Sequence, residues 1–197
     1  MITKKDYLVG AVAGFFTGVL LLVVFGFLNV SFPYQIFAAL ILIPALWAFG
    51  VWLGGFLAKW IPFFAQFGKY SAAGFLSAAI DFAILNYVSY LTGVTAGIVI
   101  GWVNVPGFLL AVINGYLWNK LWVFKDYDRE NFFKDFPKFF AVTVGGLIIN
   151  SVLIIVLTTY ISPPLSPAVW LNIAKFLANA AVLLWNFTGF KLIVFKK

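Results

Sequence analysis

The chain contains no cysteine and no histidine, and only six of its 197 residues are acidic. Without cysteine there are no disulfides and no thiolate chemistry, and without histidine there is no imidazole catalysis. Both absences together exclude the usual zinc sites. The sequence also offers no acid–base pair or nucleophile constellation, so we predict no enzyme activity, no catalytic residue, no metal and no cofactor.

What the chain does contain is mainly apolar. It is 64% hydrophobic and 10% charged, with a mean hydropathy of +1.05, whereas soluble domains are roughly 45–50% apolar. Six apolar stretches are each close to the ~20 residues that a membrane-spanning helix needs. They are Tyr7–Val30, Ile36–Ala58, Tyr70–Leu91, Ile98–Trp118, Phe139–Tyr160 and Ala168–Phe190. We therefore predict an all-α membrane protein with six transmembrane helices, the first of them retained because no small-residue cleavage site follows it.

Basic residues occur at alternate connections between these stretches. The connections "NVSFPYQ", "TGVTAG" and "SPPLSPA" carry no charge, so the positive-inside rule predicts a multi-pass protein of the cell membrane with both termini in the cytoplasm. The basic residues expected at the interface in the fourth connection are Lys120, Lys125, Arg129, Lys134 and Lys138. This topology and attraction to anionic lipids explain the net charge of +7, and no nucleic-acid partner is predicted.

Two segments of the chain repeat one pattern. Both "FGKYSAAGFLSAAIDFAIL" and "FPKFFAVTVGGLIINSVLI" begin with F-x-K-aromatic, and Asp81 and Asn150 lie at the same distance from that start. "NGYLWNKLWVFK" and "NFTGFKLIVFK" close the two segments in the same way. Residues 67–125 and 136–196 are therefore predicted to be parallel hairpin repeats of a four-helix domain, residues 63–197. Residues 1–62 form a separate amino-terminal hairpin.

Polar residues inside the stretches are predicted to form a site at membrane depth. At ~1.5 Å per residue, Asp81 lies about 18 Å above Lys69, Asn150 lies about 18 Å above Lys138, and Lys175 comes near the level of Asn104. Three residues of the sixth stretch share one helical face, within about 40° of each other. The predicted site residues are Asp81, Asn104, Asn114, Asn150, Lys175, Asn179 and Asn186. For the asparagines, hydrogen bonding between helices is the alternative role.

Lys175 is open to three interpretations. Its ammonium is expected to counter either a substrate phosphate or Asp81, and the sequence does not decide between them. Because Lys175 lies near the outer end of its helix, it also has the option of extending to the membrane interface.

Three other features bear on the site. "NVPG", residues 104–107, is expected to interrupt or kink the fourth span. "RENFFKDFPKFF" and "WIPFFAQFGK" are typical of interfacial segments, which anchor to the membrane surface or admit a lipid substrate. "DYD" at Asp126 and Asp128 imitates a metal-binding D-x-D, but no nucleotide fold surrounds it, so we interpret it as coincidence in a solvated loop.

The segments "KYSAAGFLSAAIDF", "FLLAVINGYLWNKLWVFK" and "AKFLANAAVLLWNFTGFKLIVF" together resemble the GtrA-like family of four-helix membrane proteins. The resemblance covers roughly residues 67–197. Membrane domains of this kind are also fused to some dolichol-phosphate mannose synthases. The resemblance implies handling of a polyprenyl-phosphate-linked monosaccharide for cell-surface polysaccharide or glycoconjugate synthesis, with a flippase role.

Three functions follow as hypotheses. The first is a carrier of a polyprenyl-phosphate sugar lipid, and the second is a scaffold subunit that docks a glycosyltransferase without transport. The third is a small-solute transporter coupled through Asp81. Anionic membrane lipids are expected partners in each case, and the parallel repeat is compatible with a homo-oligomer.

Overall fold

The computed structural model describes residues 2–123 and 136–189, and six long helices account for most of them. The helices are α1 (Lys4–Phe27), α2 (Gln35–Leu57), α3 (Phe63–Thr92), α4 (Val99–Val123), α5 (Phe136–Tyr160) and α6 (Pro167–Gly189). In α2 and α4, a short π-helical segment continues the α-helix. No strand occurs in these two ranges. The predicted all-α fold class is confirmed.

The helices are long enough to cross a membrane. Five of the six combine the required length with high apolarity. The sixth, α6, carries Lys175 and three asparagines and has 23 residues, or about 34 Å of helix against ~30 Å of hydrocarbon. The chain is therefore a multi-pass membrane protein.

The chain divides into two compact units, which differ from the domains expected from the sequence. The described parts of Met1–Ile84 and Leu109–Tyr127 form the first unit, and those of Leu85–Phe108 and Asp128–Lys197 form the second. The division into residues 1–62 and 63–197, with its two hairpin repeats, stays a prediction.

In the first unit, α1 packs closely on α2 through glycines spaced four residues apart. A side chain at Gly14 would lie 2.7 Å from the Cα of Pro44, and one at Gly18 would overlap the carbonyl of Ala39. Small residues at such spacing let two helical backbones approach closely, which is the common basis of helix association in membranes. The two helices therefore form a tightly packed hairpin.

In the second unit, α5 and α6 form a core with the first half of α4 and the last part of α3. Leu85, Ile100, Ile154 and Leu171 form a core with at most 1% of each side chain exposed. The α-helix runs from Val99 to Trp118 with Pro106 inside it, so residues 104–107 do not interrupt the fourth span, and the alternative of a kink there stays a prediction. The loss of the proline N–H removes one backbone hydrogen bond, which neighbouring helices can tolerate in a membrane span.

Candidate functional site

Lys175 is completely buried in the second unit, with 0% of its surface exposed. Its ammonium donates hydrogen bonds to the side-chain oxygen of Asn104 and, at 3.1 Å, to that of Asn150. The ring centroid of Phe108 lies 5.9 Å from the Nζ atom, within cation–π range. The interpretation in which Lys175 extends to the interface is wrong, because amide oxygens in the protein interior hold its charged end.

Asn150 connects the other members of this site. Its side-chain oxygen also accepts a hydrogen bond from Asn104 Nδ2 at 2.8 Å, and its own Nδ2 donates to Asn179 Oδ1 at 2.8 Å. Asn104 Nδ2 further donates to Ser151 Oγ at 3.2 Å. Asn104 and Asn150 are both 0% exposed. We call Lys175, Asn104, Asn150 and Asn179 the amide cluster.

The local sequence explains why these side chains point into one interior. Lys175 and Asn179 are four residues apart and so share a face of α6. That face also presents Leu171, Ala174 and Ala178, all at most 1% exposed. The small alanines allow α6 to approach its neighbours, and the short asparagine side chains can then hydrogen-bond between helices. The predicted equal level of Lys175 and Asn104 agrees with their direct hydrogen bond.

Two other predicted site residues lie in the first unit. Asn114 donates to Ser77 Oγ at 3.0 Å, and Ser77 in turn donates to the carbonyl of Ala73. Asp81 is 3% exposed, so it does not face the surrounding lipid. Its convergence with the amide cluster stays a prediction.

Asn186 belongs to the second unit and is half-buried. A side chain at Gly146 would lie 3.2 Å from Asn186 Oδ1, so this glycine makes room for the asparagine. Among the described residues, that oxygen is buried without a hydrogen-bond donor. Asn186 follows Asn179 by seven residues, so it lies about 10 Å farther along the axis of α6 than Asn179.

Comparison with known proteins identifies the family. The model of the GtrA/DPMS transmembrane domain matches residues 69–195. The chain belongs to the GtrA/DPMS transmembrane-domain family. Membership indicates a membrane protein of glycoconjugate synthesis.

A bacterial relative supports the GtrA/DPMS assignment. The uncharacterized membrane protein YwcD of Bacillus subtilis (strain 168) is 33% identical over 96 residues, which are 48% of this chain and 71% of YwcD. No solved structure matches the chain significantly. The amino-terminal hairpin, residues 1–62, lies outside the GtrA/DPMS match.

Among the residues predicted at the cytoplasmic interface, Lys138 lies in the first turn of α5 and is exposed. The side chain of Lys120 and the residues Lys125, Arg129, Lys134, Asp126 and Asp128 lie outside the described part of the chain. The interfacial role of the basic residues and the interpretation of "DYD" as a coincidence in a solvated loop both stay predictions.

A buried ion pair joins the hairpin to the GtrA/DPMS domain, and sequence reasoning missed it. Asp6 Oδ1 lies 2.8 Å from Lys69 Nζ and accepts a hydrogen bond from Trp122 Nε1 at 3.0 Å. Thr3 donates to Asp6 Oδ2 from both its backbone nitrogen and its hydroxyl. In the sequence, Lys69 is one of the basic residues that flank the connection between the second and third apolar stretches. The sequence feature that indicated a partner for Lys69 was Asp6, an acidic residue directly after Lys4 and Lys5 at the start of α1.

A reciprocal amide pair in the second unit was also missed. Asn86 and Asn172 each donate from Nδ2 to the other's Oδ1, at 2.8 and 2.7 Å. Such a pair satisfies both side chains between α3 and α6, and is the interhelical role expected of asparagines in membrane helices. Asn172 was visible as an amide in an apolar stretch, but its partner could not be chosen from the sequence.

Proposed function

We propose that this protein carries a polyprenyl-phosphate-linked monosaccharide across the cell membrane, for the synthesis of a cell-surface polysaccharide or glycoconjugate. The amide cluster is the proposed binding site. The observation that carries this proposal is an ammonium held fully inside a membrane-spanning unit among side-chain amides. Ionisable groups at membrane depth are costly and usually mark a substrate path.

The chemistry of the amide cluster suits such a substrate. A phosphate-linked sugar presents one anionic group and several hydroxyls, while its polyprenyl chain can stay in lipid. An ammonium is a compact partner for the phosphate. Asparagine amides both donate to and accept from hydroxyls, as sugars require. Asp81, Asn114 and Asn186 are proposed as further contacts along the path.

Binding requires the amide cluster to open. Lys175 is held by Asn104 and Asn150, so a phosphate must replace at least one of these amide oxygens. The released amide can then donate to the sugar, which exchanges one set of hydrogen bonds for another. A site of this kind is closed without substrate, as a carrier that prevents leakage needs.

The proposal is tested in liposomes that contain a labelled polyprenyl-phosphate sugar. Leaflet exchange is measured as protection of the label from a membrane-impermeant reagent. Lys175→Met keeps the length of the side chain but removes the charge, and we expect about ten- to a hundredfold slower exchange because charge-assisted hydrogen bonds contribute ~1.5–3 kcal/mol. Lys5→Met, an exposed lysine on α1, is the matched control.

The mutual hydrogen bonding within the amide cluster favours one alternative, a scaffold that docks a glycosyltransferase without transport. Equal exchange in empty vesicles and proteoliposomes, with retained binding of a glycosyltransferase, would replace the carrier proposal with the scaffold. The proposed orientation has both termini in the cytoplasm, with basic connections against anionic lipids. Nucleic acid is not among the proposed partners, and a homo-oligomer is compatible with either function.

A further inference from the structure

The amino-terminal hairpin carries a continuous row of exposed aromatic side chains on α2 and the turn that follows it. Phe49, Trp52, Phe56 and Trp60 are 40% to 66% exposed. Successive ring centroids are 5.4, 5.6 and 5.0 Å apart, and the first two contacts are stacked with interplanar angles of 29° and 17°. We call these four residues the aromatic ladder.

The aromatic ladder faces away from the protein. Val51 and Gly54 are buried on the opposite side of α2, about 140–200° around the helix from Phe49 at ~100° per residue. Only 11% of the most apolar part of α2 is buried, against 28% to 44% in the other four spans measured. The ladder is therefore a surface that either lipid or a partner covers.

The position of the aromatic ladder is unusual for membrane aromatics. Tryptophan and tyrosine commonly gather at the two interfaces, where the indole N–H meets water and headgroups. Here the row runs from the end of α2 into the helix, since Phe49 and Phe56 are separated by about 10 Å of axis. Stacked rings therefore extend from the interface toward the hydrocarbon.

A cation marks the interfacial end of the ladder. Lys59 is exposed, and its Nζ lies 5.2 Å from the ring centroid of Phe56. No carboxylate forms an ion pair with it within residues 2–123 and 136–189. Lys59 thus presents a positive charge at the place where a lipid headgroup would lie.

We propose that the aromatic ladder and Lys59 bind a polyprenyl phosphate, with the isoprenoid chain along the rings and the phosphate at Lys59. This inference rests on the proposed function for its substrate class, but it assigns a second site, in the hairpin outside the family match. The methyl-branched chain packs against ring faces, and the phosphate neutralises the lysine. A second copy fits less well, because a two-fold dimer on this face would bring like charges of the two Lys59 side chains to the same end.

The experiment uses the full chain in phosphatidylcholine nanodiscs and a polyprenyl phosphate with a diazirine in its tail. After irradiation, peptides of α2 are expected to carry the label. Trp52→Leu combined with Phe56→Leu is expected to lower the labelling about three- to tenfold, because ring contacts are replaced by weaker aliphatic ones. Trp102→Leu, a 76% exposed tryptophan on α4, is the matched control and should leave labelling unchanged.

A second variant tests the headgroup without disturbing the helix. Lys59→Gln is expected to lower labelling by the phosphate probe several-fold, while labelling by the corresponding uncharged polyprenol stays the same. Equal competition by phosphatidylglycerol and by unlabelled polyprenyl phosphate would overturn the proposal, since the surface would then hold any anionic lipid. An equal loss in Trp102→Leu would also overturn it.

The two proposals fail separately. Leaflet exchange in liposomes without labelling of α2 would overturn the aromatic ladder as a site and leave the carrier intact. Labelling of α2 without leaflet exchange would overturn the carrier and leave the ladder as a lipid-binding surface.

Discussion

Asp6 accepts hydrogen bonds at both of its carboxylate oxygens. Its Oδ1 atom forms the ion pair with Lys69 and accepts a hydrogen bond from the Trp122 indole. Its Oδ2 atom accepts hydrogen bonds from the backbone nitrogen and the hydroxyl of Thr3. Asp6 and Lys69 are 3% and 5% exposed. Removal of one member of a buried pair leaves the other charge in a poorly solvated place, which is more costly than removal of both.

We expect Lys69→Met to destabilise the protein by about 3–5 kcal/mol, because Asp6 then stays buried without its cation. The double variant Asp6→Leu with Lys69→Met should lose less than the sum of the single variants. Thermal unfolding in detergent, followed by tryptophan fluorescence, measures both. Lys59→Met is the control, since Lys59 is exposed. A single variant as stable as the control would contradict the prediction.

Residues on one helical face could be predicted, but partners from distant helices could not. The depth and face of Lys175 follow from helical geometry, so its level with Asn104 was predictable. The pairing of Asp6 with Lys69 depends on which helices adjoin in space, and the two residues are far apart in the chain. A lysine beside an apolar span is usually interfacial, so its burial gave no signal.

At the level of helices, the contact between α1 and α2 depends on glycines of α1, which have no side chain to separate the two backbones. A methyl group at Gly14 would lie 2.7 Å from the Cα of Pro44, which belongs to the backbone and cannot rotate away. A methyl group at Gly26, near the carboxyl end of α1, would have no neighbouring atom within 4 Å. Two glycines of one helix thus differ in their surroundings.

We expect Gly14→Ala to destabilise the protein by about 1–3 kcal/mol, because α1 must move away from α2. Gly26→Ala should be neutral or slightly stabilising, since alanine is the better helix former and meets no obstacle. Thermal unfolding of the two variants under identical detergent conditions provides the comparison. If both changes had the same effect, close packing of the backbones would not be what holds α1 to α2.

The number of helices was more predictable than their ends. Each of the six apolar stretches corresponds to one helix, because hydrophobic length is a direct requirement of the bilayer. The third helix begins at Phe63 rather than Tyr70, since the interfacial sequence "FFAQFGK" continues the helix without being apolar enough to extend the stretch. The interruption expected at residues 104–107 is wrong, because one missing backbone hydrogen bond does not end a helix that has neighbours.

At the scale of the whole molecule, charge is the property that orients the chain. Lysine and arginine outnumber aspartate and glutamate by 13 to six, and the uncharged connections alternate with the basic ones. Retention of positive charge on the cytoplasmic side acts on all connections together, so one dominant orientation is expected. Both the proposed lipid-binding surface at Lys59 and the proposed carrier function assume that orientation, in which the lipid enters from the cytoplasmic side.

We expect a cysteine at Ala96 to react with a membrane-impermeant thiol reagent added to intact cells, and a cysteine at Lys59 to react only after the membrane is opened. Both residues are exposed in connections, and the natural chain has no cysteine that could react in the background. Labelling is read from the mass of the purified protein, and the cysteine-free chain is the control. Reaction of the Lys59 site in intact cells would reverse the orientation, whereas partial reaction at both sites would indicate a mixed topology. Either result would move the basic connections, and with them the proposed entry of the lipid, to the outer face.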